Sequence, residues 1–317
     1  MTNVLIVLTL PEVVRLQYFD HVKKRFPEVS LDMVDHHTKV DPYIAAAEVL
    51  ITFGPHVANH VFEKARNLKW VQALGTGVDG IADQPGLRKD VLLTNMQGFH
   101  GAPVSEAALL AMLALARDLP RSLRQQARRR WDRFPVTLLK GKTVGIFGVG
   151  TIAAELAPKC KALGMKVVGI SSAKREVPGF DAMFKREKLA QAVKGLDYFV
   201  LLTPFTPATK NIVDAKIFAA MKPSAFFINL ARGGVVDEDA LVHALKNWKI
   251  AGAALDVFAQ EPLPEDSPFW DMENVILTQH QGGFFDGYPG FALPVVEENM
   301  RKYLAGDLKD MINVVKR

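Results

Sequence analysis

The chain has 317 residues, a net charge of +5 and 49% hydrophobic residues, enough for two domains with complete cores. It carries no low-complexity block or charged tail, which excludes a disordered chain. Cys160 is the only cysteine, so an internal disulfide and a zinc site built mainly on thiolates are excluded, and we expect a cytoplasmic protein.

Short apolar runs alternate with helical patterns along the sequence, which is typical of parallel sheets covered by helices on both faces. The N-terminal run has the length of a strand and no basic segment before it, so we expect a strand rather than a signal peptide. We predict an α/β fold with two Rossmann-like, doubly wound parallel sheets. The predicted strands are Val4–Leu8, Val29–Val34, Val49–Thr52, Trp70–Ala73, Val91–Thr94, Thr143–Phe147, Lys166–Ile170, Tyr198–Leu202, Phe226–Leu230, Ala253–Asp256 and Val275–Leu277.

Turn-rich segments at Asn95–Pro103 and Gln281–Gly290 mark the predicted crossings between two domains. The helix and tail predicted at Phe291–Arg317 are expected to return to the first domain. We therefore expect one domain over 1–98 and 285–317 and the other over 99–284. Two crossings make a natural hinge, so an interdomain cleft is expected.

One long helix is predicted over Ser105–Arg133, and its second half is basic. A nucleic-acid surface is one interpretation, but neither stacking aromatics nor a recognition motif accompanies the arginines. A solvated face that partly contacts a second subunit is preferred, and neither nucleic acid nor membrane is expected as a partner. The longest apolar stretch, Ala107–Ala116, is too short to span a bilayer and predicts a buried helix.

A glycine-rich turn follows the predicted strand Thr143–Phe147 and precedes a helical pattern over Thr151–Leu163, the context of a dinucleotide-binding fingerprint. Gly148 permits the tight turn, and Gly150 lets the backbone approach a pyrophosphate at the helix N-terminus. Ala153 takes the place of the third glycine. The predicted contacts in this turn are Gly148, Val149, Gly150, Thr151 and Ile152.

The segment after the next predicted strand bears on the choice of nicotinamide cofactor. NAD sites usually place a carboxylate there for the ribose 2′-OH, but none appears before Glu176. Two hydroxyls and two cations stand there instead, and they suit a 2′-phosphate through hydrogen bonds and charge pairing. We predict NADP(H), with NAD(H) as the alternative, and contacts from Ser171, Ser172, Lys174 and Arg175.

One arginine, one glutamate and one histidine each follow a short apolar run: Arg232, Glu261 and His280. Because ligands bind at the carboxyl ends of parallel strands, we expect all three at one site. An arginine suits a carboxylate, a histidine transfers a proton, and a glutamate favours the imidazolium. Together with a hydride from a nicotinamide cofactor, these three side chains make a minimal set for the reduction of a 2-keto acid.

Five motifs resemble those of the D-isomer-specific 2-hydroxyacid dehydrogenases over nearly the whole chain: GVGTIA, LLTPFTPATKNIV, MKPSAFFINLARGGVVDEDAL, AGAALDVFAQEPLP and NVILTQHQGG. The resemblance implies that Arg232 binds the substrate carboxylate. His280 would be the acid in reduction and the base in oxidation, oriented by Glu261. The resemblance also implies a homodimer, and it favours a glyoxylate/hydroxypyruvate-type reductase.

Further binding residues follow from the same resemblance. It implies that the loop Leu74-Gly75-Thr76-Gly77 donates backbone N–H groups to the substrate carboxylate, since its glycines permit close approach. Arg232 and His280 complete the implied substrate contacts. The remaining implied cofactor contacts are Thr203, Pro204, Thr209, Leu230, Ala231, Asp256, His280 and Gly282.

Some positions depart from the family pattern. Gln279 replaces the usual proline before the histidine and Gln281 follows it, which bears on substrate choice. His100 stands where many relatives carry asparagine and is a candidate lining residue. Three aromatic residues are a candidate wall over the substrate side chain: Phe284, Phe285 and Tyr288.

Two alternatives complete the prediction. A cofactor-sensing binding protein without turnover, similar to the transcriptional corepressors of the family, is the alternative function. The adjacent residues His36 and His37 are a weak metal-site candidate, because on a strand they would face opposite sides. No metal is predicted.

Overall fold

The computed structural model describes residues 1–172 and 176–317. These residues form two compact units, Met1–Phe99 with Asp286–Arg317 and His100–Phe285. Each unit has its own parallel sheet and buried apolar core. The predicted α/β class with two doubly wound parallel sheets is therefore confirmed.

Twelve strands and nine helices are found in the described residues. The strands are β1 (Asn3–Val7), β2 (Ser30–Val34), β3 (Val49–Thr52), β4 (Trp70–Ala73), β5 (Leu92–Thr94), β6 (Thr143–Phe147), β7 (Lys166–Ser171), β8 (Ala182–Lys185), β9 (Tyr198–Leu201), β10 (Phe226–Asn229), β11 (Gly252–Leu255) and β12 (Val275–Leu277). The helices are α1 (Glu12–Arg25), α2 (Asn59–Lys64), α3 (Gly101–Ala116), α4 (Leu119–Ala127), α5 (Thr151–Ala162), α6 (Leu189–Ala192), α7 (Ala215–Ala220), α8 (Glu238–Lys246) and α9 (Tyr288–Ala305).

The strand order in each sheet identifies its binding edge. The first unit has the order β2-β1-β3-β4-β5, the flavodoxin-like arrangement. The second has β12-β11-β10-β9-β6-β7-β8, the Rossmann arrangement with an additional strand, and its order reverses at β6. Strands such as β3, β4 and β9 are buried along their whole length because helices cover both faces.

The predicted strands are confirmed with ends shifted by at most one residue, but β8 was missed. Its four residues, AMFK, lie at the sheet edge and are only partly buried. An edge strand faces water on one side, so it lacks the continuous apolar run that identifies the central strands.

The single helix predicted over Ser105–Arg133 is wrong. α3 ends at Ala116, and Asp118 takes a left-handed φ of 46° before α4 begins. The Asp118 side chain caps α4, and Pro120 lies in its first turn. Proline lacks the N–H that a continuous helix would need there, so the helix breaks.

The two adjacent histidines do not lie on a strand. His36 follows β2 and caps a short 3-10 turn at His37–Lys39 by accepting a hydrogen bond from the Thr38 N–H. The rings of His36 and His37 are in contact in a tilted arrangement, with centroids 4.2 Å apart. The expectation that they face opposite sides of a strand is therefore wrong.

Candidate functional site

The glycine-rich turn connects β6 to α5, where the strand order of the second sheet reverses. Gly148 has a φ of 103°, and a Cβ there would lie 2.5 Å from the backbone of Leu202 and Thr203, so the position requires glycine. A Cβ at Gly150 would meet nothing within 4 Å. No side chain of the described residues caps α5, which begins at Thr151, so its first N–H groups can receive an anion. The turn fits a dinucleotide pyrophosphate.

The predicted 2′-phosphate contacts begin at the last residue of β7. Ser171 is the last residue of this strand and is buried, whereas Ser172 is exposed. Lys174 and Arg175, the two cations of this prediction, lie outside the described residues.

The loop after β9 carries three predicted cofactor residues. Thr203 is buried and its backbone lies against Gly148. The Thr209 hydroxyl donates to the Pro204 carbonyl at 2.8 Å and accepts from the Thr206 N–H at 2.8 Å. Thr209 therefore fixes the shape of the loop that follows Thr203.

Glu261 and His280 form a candidate ion pair in the loops that follow β11 and β12. Nδ1 of His280 lies 2.7 Å from Oε2 of Glu261, with 40% and 31% of the two side chains exposed. Burial acts to raise the pKa of Glu261, but the hydrogen bond and charge of His280, the Phe258 N–H and the charge of Arg232 together lower this pKa below its ordinary value. The glutamate is thus ionised at neutral pH. It directs the Nδ1 proton toward itself and leaves Nε2 for proton exchange.

Asp256 organises the loop that carries His280. Its carboxylate accepts hydrogen bonds from the Thr278 hydroxyl and from the N–H groups of Gln281 and Gly282, the last two at 2.8 and 2.9 Å. Its carbonyl accepts from the His280 N–H at 2.8 Å. These bonds stabilise His280 at a φ of 53°, which is unusual for a residue other than glycine. The sequence predicted Asp256 only as a cofactor contact and did not predict that it holds the His280 loop. The hydroxyl of Thr278, two residues before His280, was the signal for this role in the sequence.

Arg232 follows β10 and lies close to the glutamate. A Cβ at Gly233 would lie 1.9 Å from the Phe258 carbonyl carbon, so the loops after β10 and β11 touch backbone to backbone. This contact brings Arg232 near enough for its charge to lower the pKa of Glu261. Nη1 of Arg232 also donates to the carbonyl of Ala231, which is buried.

Leu230 and His100 lie next to the glycines that follow His280. A Cβ at Gly282 would lie 3.6 Å from a methyl carbon of Leu230, and a Cβ at Gly283 would lie 3.2 Å from Cδ2 of His100. Burial, with a smaller contribution from the charge of Arg232, lowers the pKa of His100 to about 4. A neutral imidazole therefore lies beside the arginine at neutral pH.

The predicted substrate loop, Leu74–Gly77, follows β4 in the first unit. Within the described residues, the N–H groups of Gly75 and Gly77 have no hydrogen-bond acceptor. Tyr288, predicted as part of an aromatic wall, is buried, and its hydroxyl donates to the Leu74 carbonyl. Phe284 is about half exposed.

In residues 1–172 and 176–317, no group of three or more His, Cys, Asp or Glu side chains is arranged to hold a metal ion. Within the same ranges, no helix combines the length and apolar character needed to cross a bilayer.

Comparison with known sequences points to one family. Residues 109–282 match the sequence profile described as D-isomer specific 2-hydroxyacid dehydrogenase, NAD binding domain. D-3-phosphoglycerate dehydrogenase from Methanocaldococcus jannaschii is 36% identical over 273 residues, which are 85% of this chain and 52% of that protein. The chain likewise spans 54% of the D-3-phosphoglycerate dehydrogenase from Synechocystis sp., at 32% identity over 90% of its own length. It therefore covers about half the length of these relatives.

Solved structures are similar to this chain over nearly its whole length. A D-isomer specific 2-hydroxyacid dehydrogenase family protein from Aeromonas salmonicida has a TM-score of 0.88 and 31% identity, with 99% of each chain covered. An NADPH-dependent glyoxylate/hydroxypyruvate reductase from Sinorhizobium meliloti, solved with NADP and sulfate, has a TM-score of 0.84 and 27% identity over 100% of this chain and 98% of that one. The profile match covers more than half of the chain, and so this protein belongs to the D-isomer specific 2-hydroxyacid dehydrogenase family.

Proposed function

We propose that this protein reduces a 2-keto acid to the D-2-hydroxy acid with NADPH. The observation that carries the proposal is the 2.7 Å contact between His280 Nδ1 and Glu261 Oε2, close to Arg232. A protonated imidazole, an ionised carboxylate beside it and a guanidinium supply the proton and the positive charge that reduction of a keto acid requires.

Each side chain has a distinct role in this proposal. Arg232 binds the substrate carboxylate with its planar donors and polarises the keto oxygen. Nε2 of His280 donates a proton to that oxygen, and Glu261 stabilises the imidazolium beforehand. The loop Leu74–Gly77 donates N–H groups to the carboxylate. When bound, the nicotinamide supplies the hydride.

The preference for NADPH rests on the sequence at the end of β7 and just beyond it. Ser171, Ser172, Lys174 and Arg175 offer hydroxyls and cations, and no carboxylate occurs before Glu176. The reductase from Sinorhizobium meliloti, whose fold this chain shares, is NADPH-dependent. The open turn at Gly150 and the uncapped N-terminus of α5 support pyrophosphate binding.

A glyoxylate/hydroxypyruvate-type substrate is the favoured class, supported by the name of the same reductase. The names of the sequence relatives add D-3-phosphoglycerate, a phosphorylated 2-hydroxy acid, to the candidates. We also propose a homodimer in which α4 contributes to the subunit contact.

The first experiment measures absorbance at the nicotinamide band with NADPH or NADH and a panel of 2-keto acids. We expect turnover, a higher catalytic efficiency with NADPH, and a loss of at least about 100-fold in His280→Ala. His243→Ala is the matched control because His243 is an exposed histidine of the same unit. Absence of turnover with every acid and both cofactors would overturn the proposal, whereas a preference for NADH would overturn only the cofactor assignment.

A further inference from the structure

Three consecutive carbonyl groups of the loop Leu74–Gly77 accept hydrogen bonds from within the first unit. The Tyr288 hydroxyl donates to the Leu74 carbonyl. The Met96 N–H donates to the Gly75 carbonyl at 3.0 Å, and Nδ2 of Asn95 donates to the Thr76 carbonyl at 2.6 Å. Every peptide oxygen between residues 74 and 77 is therefore held.

These bonds also set the direction of the N–H groups. In a trans peptide the carbonyl and the following N–H point in opposite directions. Fixing the Leu74 carbonyl therefore orients the Gly75 N–H, and fixing the Thr76 carbonyl orients the Gly77 N–H. Among the described residues neither of these two N–H groups has an acceptor, so both can receive a ligand anion.

The two side-chain donors belong to rigid parts of the unit. Tyr288 is 2% exposed, and burial raises its pKa, so its hydroxyl remains a donor. It lies in α9, which is bound to β4 by a 2.9 Å hydrogen bond from Asn299 Nδ2 to Gln72 Oε1. The Asn95 N–H is bound to the Asn313 carbonyl at 3.1 Å, so the chain's last segment supports this donor.

The side chain of Asn95, the second donor, lowers the stability of the folded protein. Oδ1 of Asn95 is buried without a hydrogen-bond partner in the described residues. A buried polar atom of this kind is destabilising. The asparagine is therefore better explained by the hydrogen bond from its Nδ2 to the Thr76 carbonyl than by a contribution to folding stability.

We propose that Tyr288 and Asn95 are positioning residues that hold the loop carbonyls so that the N–H groups of Gly75 and Gly77 bind the substrate carboxylate. The inference rests on the proposed function. Neither side chain needs to touch the substrate, because each acts through one peptide group of the loop.

The test is Tyr288→Phe, which removes only the hydroxyl. We expect the KM for the keto acid to rise about 5- to 10-fold, with kcat changed less than about 2-fold and the KM for NADPH unchanged, because a contact made equally in ground and transition states affects KM alone. The Kd of oxamate, an unreactive carboxylate analogue, should rise by a similar factor in the complex with NADPH.

Tyr303→Phe is the control, because Tyr303 lies in the same helix but packs against Trp70. A purely structural role for Tyr288 would lower the melting temperature of Tyr288→Phe and leave its KM values equal to those of Tyr303→Phe and the wild type. An unchanged KM and oxamate Kd in Tyr288→Phe, with wild-type turnover intact, would overturn this inference and leave the proposed function standing. Slower amide hydrogen exchange at Gly75 and Gly77 with oxamate is expected in the wild type, and its absence would equally overturn the inference.

Discussion

The proton chemistry of this site depends on where single atoms are held. One oxygen of Glu261 accepts from the Phe258 N–H and the other lies 2.7 Å from His280 Nδ1. The histidine itself is held in a left-handed conformation by the bonds to Asp256. The backbone thus orients the Glu261 carboxylate, and Asp256 holds the loop that carries the His280 ring. Together these contacts restrict the direction in which His280 can donate a proton.

Glu261→Gln tests the role of the charge while keeping a hydrogen-bond acceptor. Reduction requires protonated His280, so its rate falls as the pH rises. The low pKa of Glu261 keeps this residue ionised throughout that range, and its charge favours the imidazolium. Without the charge, we expect the decline in kcat for reduction to begin at lower pH.

The control for this variant is Glu238→Gln. Glu238 is a neighbouring carboxylate whose Oε1 accepts from the Ala259 N–H, and whose pKa is raised by burial. Its replacement should leave the pH profile in place. A profile for Glu261→Gln that coincides with the wild type would show that this glutamate does not tune the histidine.

At the scale of elements, the break between α3 and α4 is the informative difference from the sequence prediction. Asp118 and Pro120 turn the chain, so α4 is a separate short helix with apolar side chains left outside the core. Leu119 and Leu123 of α4 are exposed, Leu123 by 54%, and Trp131 beyond it is 91% exposed. Apolar side chains grouped in this way are typical of a protein contact surface.

Leu123→Glu tests α4 as the subunit contact. A buried charge without a partner disfavours association strongly, so we expect a dimer for the wild type and a monomer for this variant at micromolar concentration. Sedimentation velocity measures both. Leu16→Glu, at an exposed leucine of α1 in the other unit, should remain dimeric. A wild-type monomer would contradict the homodimer, and a dimeric Leu123→Glu would exclude α4 from the contact.

At the scale of the whole molecule, each unit contains a histidine that folding keeps neutral. Burial lowers the pKa of His56 in the first unit to about 4, as it does for His100 in the second. Nδ1 of His56 accepts from the Thr9 N–H at 3.2 Å, which requires that nitrogen to be unprotonated. Protonation of either ring is therefore opposed by the fold.

Because the pKa values of His56 and His100 are lowered in the folded protein, the free energy of unfolding decreases as the pH falls. Both folded-state pKa values lie below the unfolded value of about 6.5, so the unfolded chain binds protons first. Stability is complete above about pH 6.5 and is lost as the pH falls toward 4. We expect a loss of about 1–2 kcal/mol for each histidine after allowance for solvent screening, measured by urea unfolding between pH 7 and pH 4.5.

His56→Gln should reduce this pH dependence, because the glutamine amide does not titrate and its oxygen can accept the Thr9 N–H. His243→Gln, at an exposed histidine, should leave it unchanged. Equal slopes of unfolding free energy against pH in the wild type and His56→Gln would refute the assignment to His56.

The sequence alone determined the features that depend on local chemistry. The central strands were predictable because burial on both faces requires continuous apolar runs, as in β3 and β6. The turn after β6 was predictable because Gly148 occupies a position where any Cβ would meet backbone. Edge strand β8 lacked such a signal, and the break at Asp118 was hidden by a helical pattern that continues past Pro120.

The tertiary structure alone decided which distant residues meet. Glu261 and His280 are 19 residues apart, and Tyr288 lies 214 residues from the Leu74 carbonyl that it holds. Only the structure showed that Asp256 organises the loop that carries His280. Its partners are mainly backbone N–H groups, which every residue type except proline carries, so the sequence does not mark them. Local sequence specifies side-chain chemistry and backbone preference, whereas the meeting of strand ends depends on sheet order and packing across the whole unit.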